Sequence, residues 1–267
     1  MALNLAFESL GSGPPLLMLH GLFGSGGNWR GIARQLADTH AVFSVDLRNH
    51  GSSPWADSMD YTEMADDVRQ LIDRLGLERP AVMGHSMGGK TAMALALRHP
   101  RHVGQLLVVD IAPLSYADTL TRFSAAMLGI DVLAAATRAE VERRLQEELA
   151  DRDVVSFLMQ NLVARNDHFD WRMNLMGIST SMAQLCGFPS TLLGSRYDGP
   201  ARVIAGEHSD YVTRRDGASF RPMFVRVQVD VIDGAGHWVH ADRPAAFLAR
   251  VRDALRREAR PQALALR

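Results

Sequence analysis

The sequence predicts a doubly wound α/β protein: a mostly parallel sheet with helices on both faces, and a helical cap inserted into it. Three observations carry that expectation. Short apolar runs recur along the 267 residues, and each stops at a polar or glycine-containing turn. Helix-like stretches separate most of the runs. The alternation then fails over one long block.

The runs come in order. Leu16-Leu17-Met18-Leu19 stops at His20-Gly21, Ala41 to Val45 at Asp46, and Ala81-Val82-Met83 at Gly84. Leu106 to Val109 stops at Asp110, Ala201 to Ala205 at Gly206, and Val227 to Ile232 at Asp233-Gly234. Such short, nearly continuous apolar runs suit strands buried on both faces of a parallel sheet. Between them, Tyr61 to Leu75 spaces Met64, Val68, Leu71, Ile72 and Leu75 along one helical face. A second helix is expected from Met87 to Arg98, ended by His99-Pro100 because proline cannot continue it.

From about Leu114 to Gly199 the strand signal disappears, and the whole block is expected to be helical. Thr137-Arg138-Ala139-Glu140 reads as a capping box opening a helix that runs through Leu149. Val154 to Val163 and Leu175 to Leu185 continue the pattern. This gives a core of residues 1–113 and 200–267 and a cap of residues 114–199. Because the block interrupts the winding rather than following it, a cap over the C-terminal ends of the strands is preferred to a further layer of structural helices.

Composition narrows the function classes. Apolar residues make up 47% and charged residues 22%, enough for a packed core and too apolar for a disordered chain. The net charge of −1 offers no global field for nucleic acid or anionic lipid. The arginines at 243, 250, 252, 256, 257 and 260 read as a solvated final helix with cations near its C-terminus. No nucleic-acid partner is expected. Cys186 is the one cysteine, which excludes an intramolecular disulfide and fits a reducing compartment; it reads as a structural thiol. The N-terminal residues lack a secretion signal and no run is long enough to insert in a membrane, so the expected location is cytoplasmic.

The chemistry sits in three loops. Gly84-His85-Ser86-Met87-Gly88 is G-x-S-x-G between an apolar strand and a helix, the setting in which a sharp turn presents a serine nucleophile. The Met87 N–H opens the helix and can hold a developing oxyanion. Upstream, His20-Gly21-Leu22-Phe23 leads into a glycine-rich loop, the expected source of a second donor, with Leu22 the first choice and Phe23 the second. Downstream, Gly234-Ala235-Gly236-His237-Trp238 places a histidine on a small-residue loop after the last strand. Serine is too weak an acid to react unaided, and His237 is the expected base. His20, His85 and Trp238 are candidate substrate contacts. His85 is expected to support the site without serving as base, its side chain turned away. Met127, Met159, Met173, Met176 and Met182 fall in the inserted block and are candidates for an adaptable apolar pocket. His237 and His240 are three apart, a metal spacing, but no carboxylate or further histidine signal accompanies them, so neither metal nor cofactor is expected.

The triad acid stays open between two residues. Asp210 follows the next-to-last strand, where the acid commonly lies, and Asp110 ends the strand before the block. Either could fix the imidazole tautomer.

These stretches resemble the α/β-hydrolase superfamily, and within it the bacterial YbfF-type esterases and their mitochondrial abhydrolase-domain relatives. The likeness rests on Leu-His-Gly-Leu-Phe-Gly-Ser (19–25), Val-Asp-Leu-Arg-Asn-His-Gly-Ser-Ser-Pro (45–54), Gly-His-Ser-Met-Gly-Gly-Lys-Thr-Ala-Met (84–93), Val-Asp-Ile-Ala-Pro (109–113) and Gly-Ala-Gly-His-Trp-Val-His-Ala-Asp-Arg-Pro (234–244). It spans most of the chain and is looser over the cap. The resemblance implies a cofactor-free esterase or thioesterase acting on a small acyl ester or thioester. It also favours Asp110 as the acid, whereas the wider superfamily pattern favours Asp210.

Two rivals use the same residues. Gly84 to Thr91 also satisfies the P-loop pattern G-x-x-x-x-G-K-[ST], with Lys90 as its lysine, but that reading explains neither the loop at 20–21 nor that at 234–237. Non-heme haloperoxidases share the triad and stand as a second hydrolase-fold reading. A catalytically silent binding protein is disfavoured by the intact serine, histidine and acids.

Overall fold

The computed structural model describes residues 1–212 and 217–258. Elements run β1 (Phe7–Leu10), β2 (Pro15–Leu19), α1 (Arg30–Leu36), β3 (Ala41–Val45), α2 (Tyr61–Arg74), β4 (Ala81–His85), α3 (Met87–Arg98) and β5 (Gln105–Val109). The inserted block follows: α4 (Thr121–Leu128), α5 (Arg138–Glu148), α6 (Arg152–Met159), β6 (Leu162–Arg165), β7 (His168–Trp171), α7 (Leu175–Thr180) and α8 (Met182–Cys186). The chain then returns through β8 (Tyr197–Gly206), α9 (Gly217–Phe220), β9 (Phe224–Ile232), α10 (Val239–Asp242) and α11 (Pro244–Glu258).

The main sheet has the order β1-β3-β2-β4-β5-β8-β9, with β1 antiparallel to β3 and the other pairs parallel. Alternation along the strands divides the core in two. Leu16, Met18, Met83, Leu107, Val109 and Ile204 pack on one face with Trp29, Ile32, Leu36, Phe247 and Val251 of the α1 and α11 region. Leu17, Leu19, Val82, Leu106, Val108 and Val203 pack on the other, with Met64, Val68 and Ala92 to Leu97 of α2 and α3. Helix α2 starts where Asp60 accepts the Thr62 and Glu63 N–H groups and Glu63 reaches back, a complete capping box.

All six expected strands are present. Strand β1 is an addition: it is a short edge strand, exposed over three of its four residues, with no apolar run to announce it. The expectation of a wholly helical block is corrected, because β6 and β7 form an antiparallel hairpin around Asn166-Asp167. The helix expected over 154–163 ends at Met159, and Val163 lies in β6. Apolar runs of that length fit helix and strand alike, and pairing with His168–Trp171 decided between them. The span 175–185 is two helices meeting at Ser181. At the start of α5 Thr137 does cap Glu140, but the Glu140 carboxylate turns to the Ala136 N–H, so the reciprocal half of the box is missing.

Among the described residues no helix is long and apolar enough to cross a membrane. Of the terminal arginines, Arg243, Arg250 and Arg256 are exposed. The Arg257 side chain and Arg260 lie outside the described residues.

Candidate active site

Five parallel-sheet connections converge at the C-terminal ends of β2, β4, β5, β8 and β9. Between β4 and α3 a single residue, Ser86, makes the whole turn, at φ 52° and ψ −116°. That backbone is costly for a residue with a side chain and persists only where the surroundings enforce it. The enforcement is visible in the glycines. A Cβ on Gly84 would stand 2.0 Å from the Gly88 carbonyl oxygen, and one on Gly88 would stand 2.5 Å from that of Leu19. Strand, helix and the β2 end therefore meet only if both positions lack a side chain. With one residue between strand and helix, no loop remains to cradle a phosphate, which removes the P-loop reading.

Lys90 also turns away from any such role. It is buried one turn into α3, and its Nζ donates to the carbonyls of Cys186 (3.1 Å) and Gly187 (2.5 Å) at the end of α8. The rings of Tyr61 and Tyr116 lie 5.4 and 4.8 Å from it. Burial pushes its pKa down to about 8. Cys186 is half-buried, and burial raises its thiol pKa.

The His237 imidazole meets Asp110, not Asp210. Nδ1 lies 2.7 Å from Asp110 Oδ2. Asp110 is fully buried, sits at φ 52° just past β5, and accepts the Gly206 N–H at 2.9 Å on Oδ1 and the Ser209 hydroxyl on Oδ2. Asp210 is exposed. The loop bearing His237 passes so close over β8 that a Cβ on Gly206 would stand 2.2 Å from the Gly236 carbonyl oxygen. Tyr211 stacks its ring on the imidazole, centroids 4.1 Å apart at 31°. Neither Ser209 nor Tyr211 was expected from the sequence, and nothing in their spacing marks them.

His85 does not turn away. Its ring lies 4.6 Å from that of His237, and Nε2–H donates to the His237 carbonyl at 2.9 Å. Being the residue before the turn, it faces the loop that crosses the strand ends. His240 packs against Trp29, centroids 4.7 Å apart. Among the described residues no group of three or more histidine, cysteine or acidic side chains is placed to hold a metal.

The loop after β2 is braced by two buried histidines. His20 donates Nδ1–H to the Gly21 carbonyl and accepts the Leu47 N–H on Nε2 at 3.0 Å. His50 donates Nδ1–H to the Arg48 carbonyl and accepts the Phe23 N–H at 3.2 Å. The N–H of Phe23, the second-choice oxyanion donor, is thus already committed within the loop. The segment 45–54 has its reason here: Asp46 accepts the Gly26 N–H, and His50 holds Phe23.

Desolvation lowers the pKa of His20 to about 4, of His50 to about 3 and of His240 to about 4. All three are neutral in the fold at pH 7, whereas in an unfolded chain they titrate near 6.5. Below that value the unfolded state takes up protons that the folded state refuses, so stability present above about pH 6.5 is lost as pH falls. At pH 5 the expected loss is about 2 kcal/mol for each of the three. Urea unfolding at pH 7.5 and pH 5.0 measures it; equal midpoints would refute it.

A cavity of about 780 Å³ opens over these groups. Ser86 and His237 lie on its floor with His20 and His85, and Phe123, Val154, Phe157 and Trp238 form apolar walls. Phe157 packs on Trp238, centroids 5.6 Å apart, joining α6 to the loop of His237. None of the five methionines lines it. Met127, Met159 and Met182 are buried on α4, α6 and α8, Met173 is buried in the turn between β7 and α7, and Met176 faces outward, 62% exposed.

Residues 14–244 match the sequence model of the alpha/beta hydrolase fold family. The chain belongs to that family. It is 38% identical to the sn-1-specific diacylglycerol lipase ABHD11 of Xenopus tropicalis, over 91% of this chain and 78% of the relative. It is 33% identical to esterase YbfF of Escherichia coli K12, over 89% and 91% of the two. Among solved structures, a marine microorganism esterase superposes with a TM-score of 0.91 at 37% identity, covering 94% of this α/β hydrolase and 99% of that chain.

Proposed function

We propose that this α/β hydrolase, an ester hydrolase of the esterase/lipase type, cleaves acyl esters and thioesters through Ser86, His237 and Asp110 with an acyl-enzyme intermediate. The observation that carries the reading is the 2.7 Å contact between His237 Nδ1 and a buried Asp110, on the floor of the cavity that Ser86 faces. Asp110 fixes Nδ1 as the protonated nitrogen, leaving Nε2 free to take the Ser86 proton. Ser86 Oγ attacks the acyl carbonyl, and the oxyanion forms against the Met87 and Leu22 N–H groups. His237 then gives its proton to the leaving oxygen or sulfur, and water resolves the acyl-serine by the same steps in reverse order. The segment inserted between β5 and β8 acts as the cap, because α4 and α6 supply Phe123, Val154 and Phe157 to the cavity walls; of the expected span 114–199, residues 197–199 instead open β8.

A fluorophosphonate probe tests the reading. It is expected to label Ser86 in step with loss of turnover on an activated ester. An unlabelled serine beside undiminished turnover would reject it.

The cavity also sets a charge preference. Asp153 and Asp242 line it, and its described lining includes no lysine or arginine. An ester carrying a carboxylate is expected to have kcat/KM about ten-fold below its neutral counterpart, a difference of about 1.4 kcal/mol. Paired substrates differing only in that group measure it, and faster turnover of the anionic partner would refute it.

A further inference from the structure

Two cavities meet at Ser86. Besides the large one, a compartment of about 30 Å³ lies on the serine's other side, walled by Met87, Lys90, Ile111, Tyr116, Leu185 and Cys186. Leu22, Ser86, Leu120 and Tyr211 face both. His237 faces only the large cavity, and Met87 only the small one.

That asymmetry sorts the two halves of a substrate, given the catalytic reading above on which this step rests. The carbonyl carbon under attack carries its oxygen, the leaving group and the acyl chain. The oxygen lies at the Met87 and Leu22 N–H groups. The leaving atom must take a proton from His237 as its bond to carbon breaks, so it lies on the imidazole side, in the large cavity. The acyl chain is the remaining substituent and points away from His237, into the compartment beside Met87. We propose that the small compartment is the acyl subsite, and that the enzyme hydrolyses short acyl groups, acetyl to propionyl, from large and mainly apolar alcohols or thiols.

Size carries the first half. On the same measure the compartment offers about 30 Å³ against about 780 Å³, so it takes the smaller half of the substrate and only a short chain. The large cavity is within the range that holds whole small-molecule ligands. The compartment's walls are also tied. Lys90 is held by the Cys186 and Gly187 carbonyls, and the Tyr61 hydroxyl donates to the Leu185 carbonyl at 2.5 Å. The Tyr116 hydroxyl accepts the Ala112 N–H at 2.9 Å and donates to the Tyr211 carbonyl at 2.7 Å. A longer chain would have to break these bonds or lay its methyl end against a buried ammonium, and both cost free energy. The balance is simple. The ester bond breaks, the alcohol leaves with the proton from His237, acyl-Ser86 forms, and water releases the short carboxylic acid.

Two substrate series on the intact chain test this. In the first, 2-naphthyl esters run from acetate through propionate, butanoate and hexanoate to octanoate. Here kcat/KM is expected to fall at least ~30-fold between acetate and hexanoate, since a filled pocket excludes added methylenes steeply. In the second, acetates of aryl alcohols of matched acidity grow from phenol to 4-phenylphenol, and kcat/KM is expected to hold or rise. Leu185→Ala enlarges the compartment and is expected to move the optimum toward butanoate; if it fails to fold, the wild-type series decide alone. Hexanoate turned over as well as acetate, or a steep loss along the aryl series, overturns the assignment even with Ser86 labelled by fluorophosphonate. Neither turnover nor labelling would instead overturn the catalytic reading beneath it.

Discussion

Ser86→Ala is expected to lower kcat on an activated ester by about 10⁴- to 10⁶-fold, the scale on which removal of a triad nucleophile acts. The residual rate should be that of a site that still binds and polarises the ester but has nothing to acylate. The fold should survive, because alanine keeps the Cβ and the Ser86 side chain makes no capping hydrogen bond to the start of α3. The turn is enforced by backbone crowding at Gly84 and Gly88, and by the Ser86 N–H to the Val109 carbonyl at 3.0 Å, none of which the substitution touches. Single-turnover kinetics should show no burst, and the thermal midpoint should move little. Turnover within ten-fold of wild type in a clean preparation would remove Ser86 from the mechanism. His237→Ala is expected to behave alike, since the serine and its base act as one unit.

Much of this was legible in the sequence, for a physical reason. Parallel strands buried on both faces must be short apolar runs, and the turns that end them must be small or polar, so the six central strands and the three loops of the candidate site announce themselves. The glycines at 84 and 88 are legible because close backbone approach admits nothing else. The edge strand β1 and the hairpin β6–β7 were not, since an exposed edge needs no apolar pattern and a four-residue run fits either period. The methionines of the inserted block misled for a related reason: an amphipathic helix shows that it buries a face, not what it buries it against. Ser209, Tyr211 and Lys90 could not have been assigned from the chain alone. Each owes its place to a partner roughly 25 to 100 residues away, as with the Ser209 hydroxyl on Asp110.

The acid shows the same limit and gives the second large effect. Asp110→Asn is expected to lower kcat by about 10³- to 10⁴-fold, while Asp210→Asn stays within about two-fold of wild type. Asparagine at 110 can still accept the Gly206 N–H on its carbonyl oxygen, so the backbone beneath the site keeps its anchor. Its amide then faces His237 Nδ1 and donates where the carboxylate accepted. The imidazole must answer by moving its proton to Nε2, the nitrogen that has to take the proton of Ser86. The loss therefore arises from the wrong tautomer in an intact geometry, together with an imidazolium that has lost its buried counter-charge. Asp210 is exposed, and solvent screens whatever it contributes. It has no claim on Nδ1 while Asp110 holds it at 2.7 Å. The double mutant separates substitution from redundancy. If Asp210 can swing in when Asp110 is gone, the Asp110→Asn loss will be mild and the double mutant far worse. If Asp110 works alone, the double mutant will match Asp110→Asn. A severe loss in Asp210→Asn beside near-normal Asp110→Asn would reverse the assignment and leave Ser86 and His237 in place.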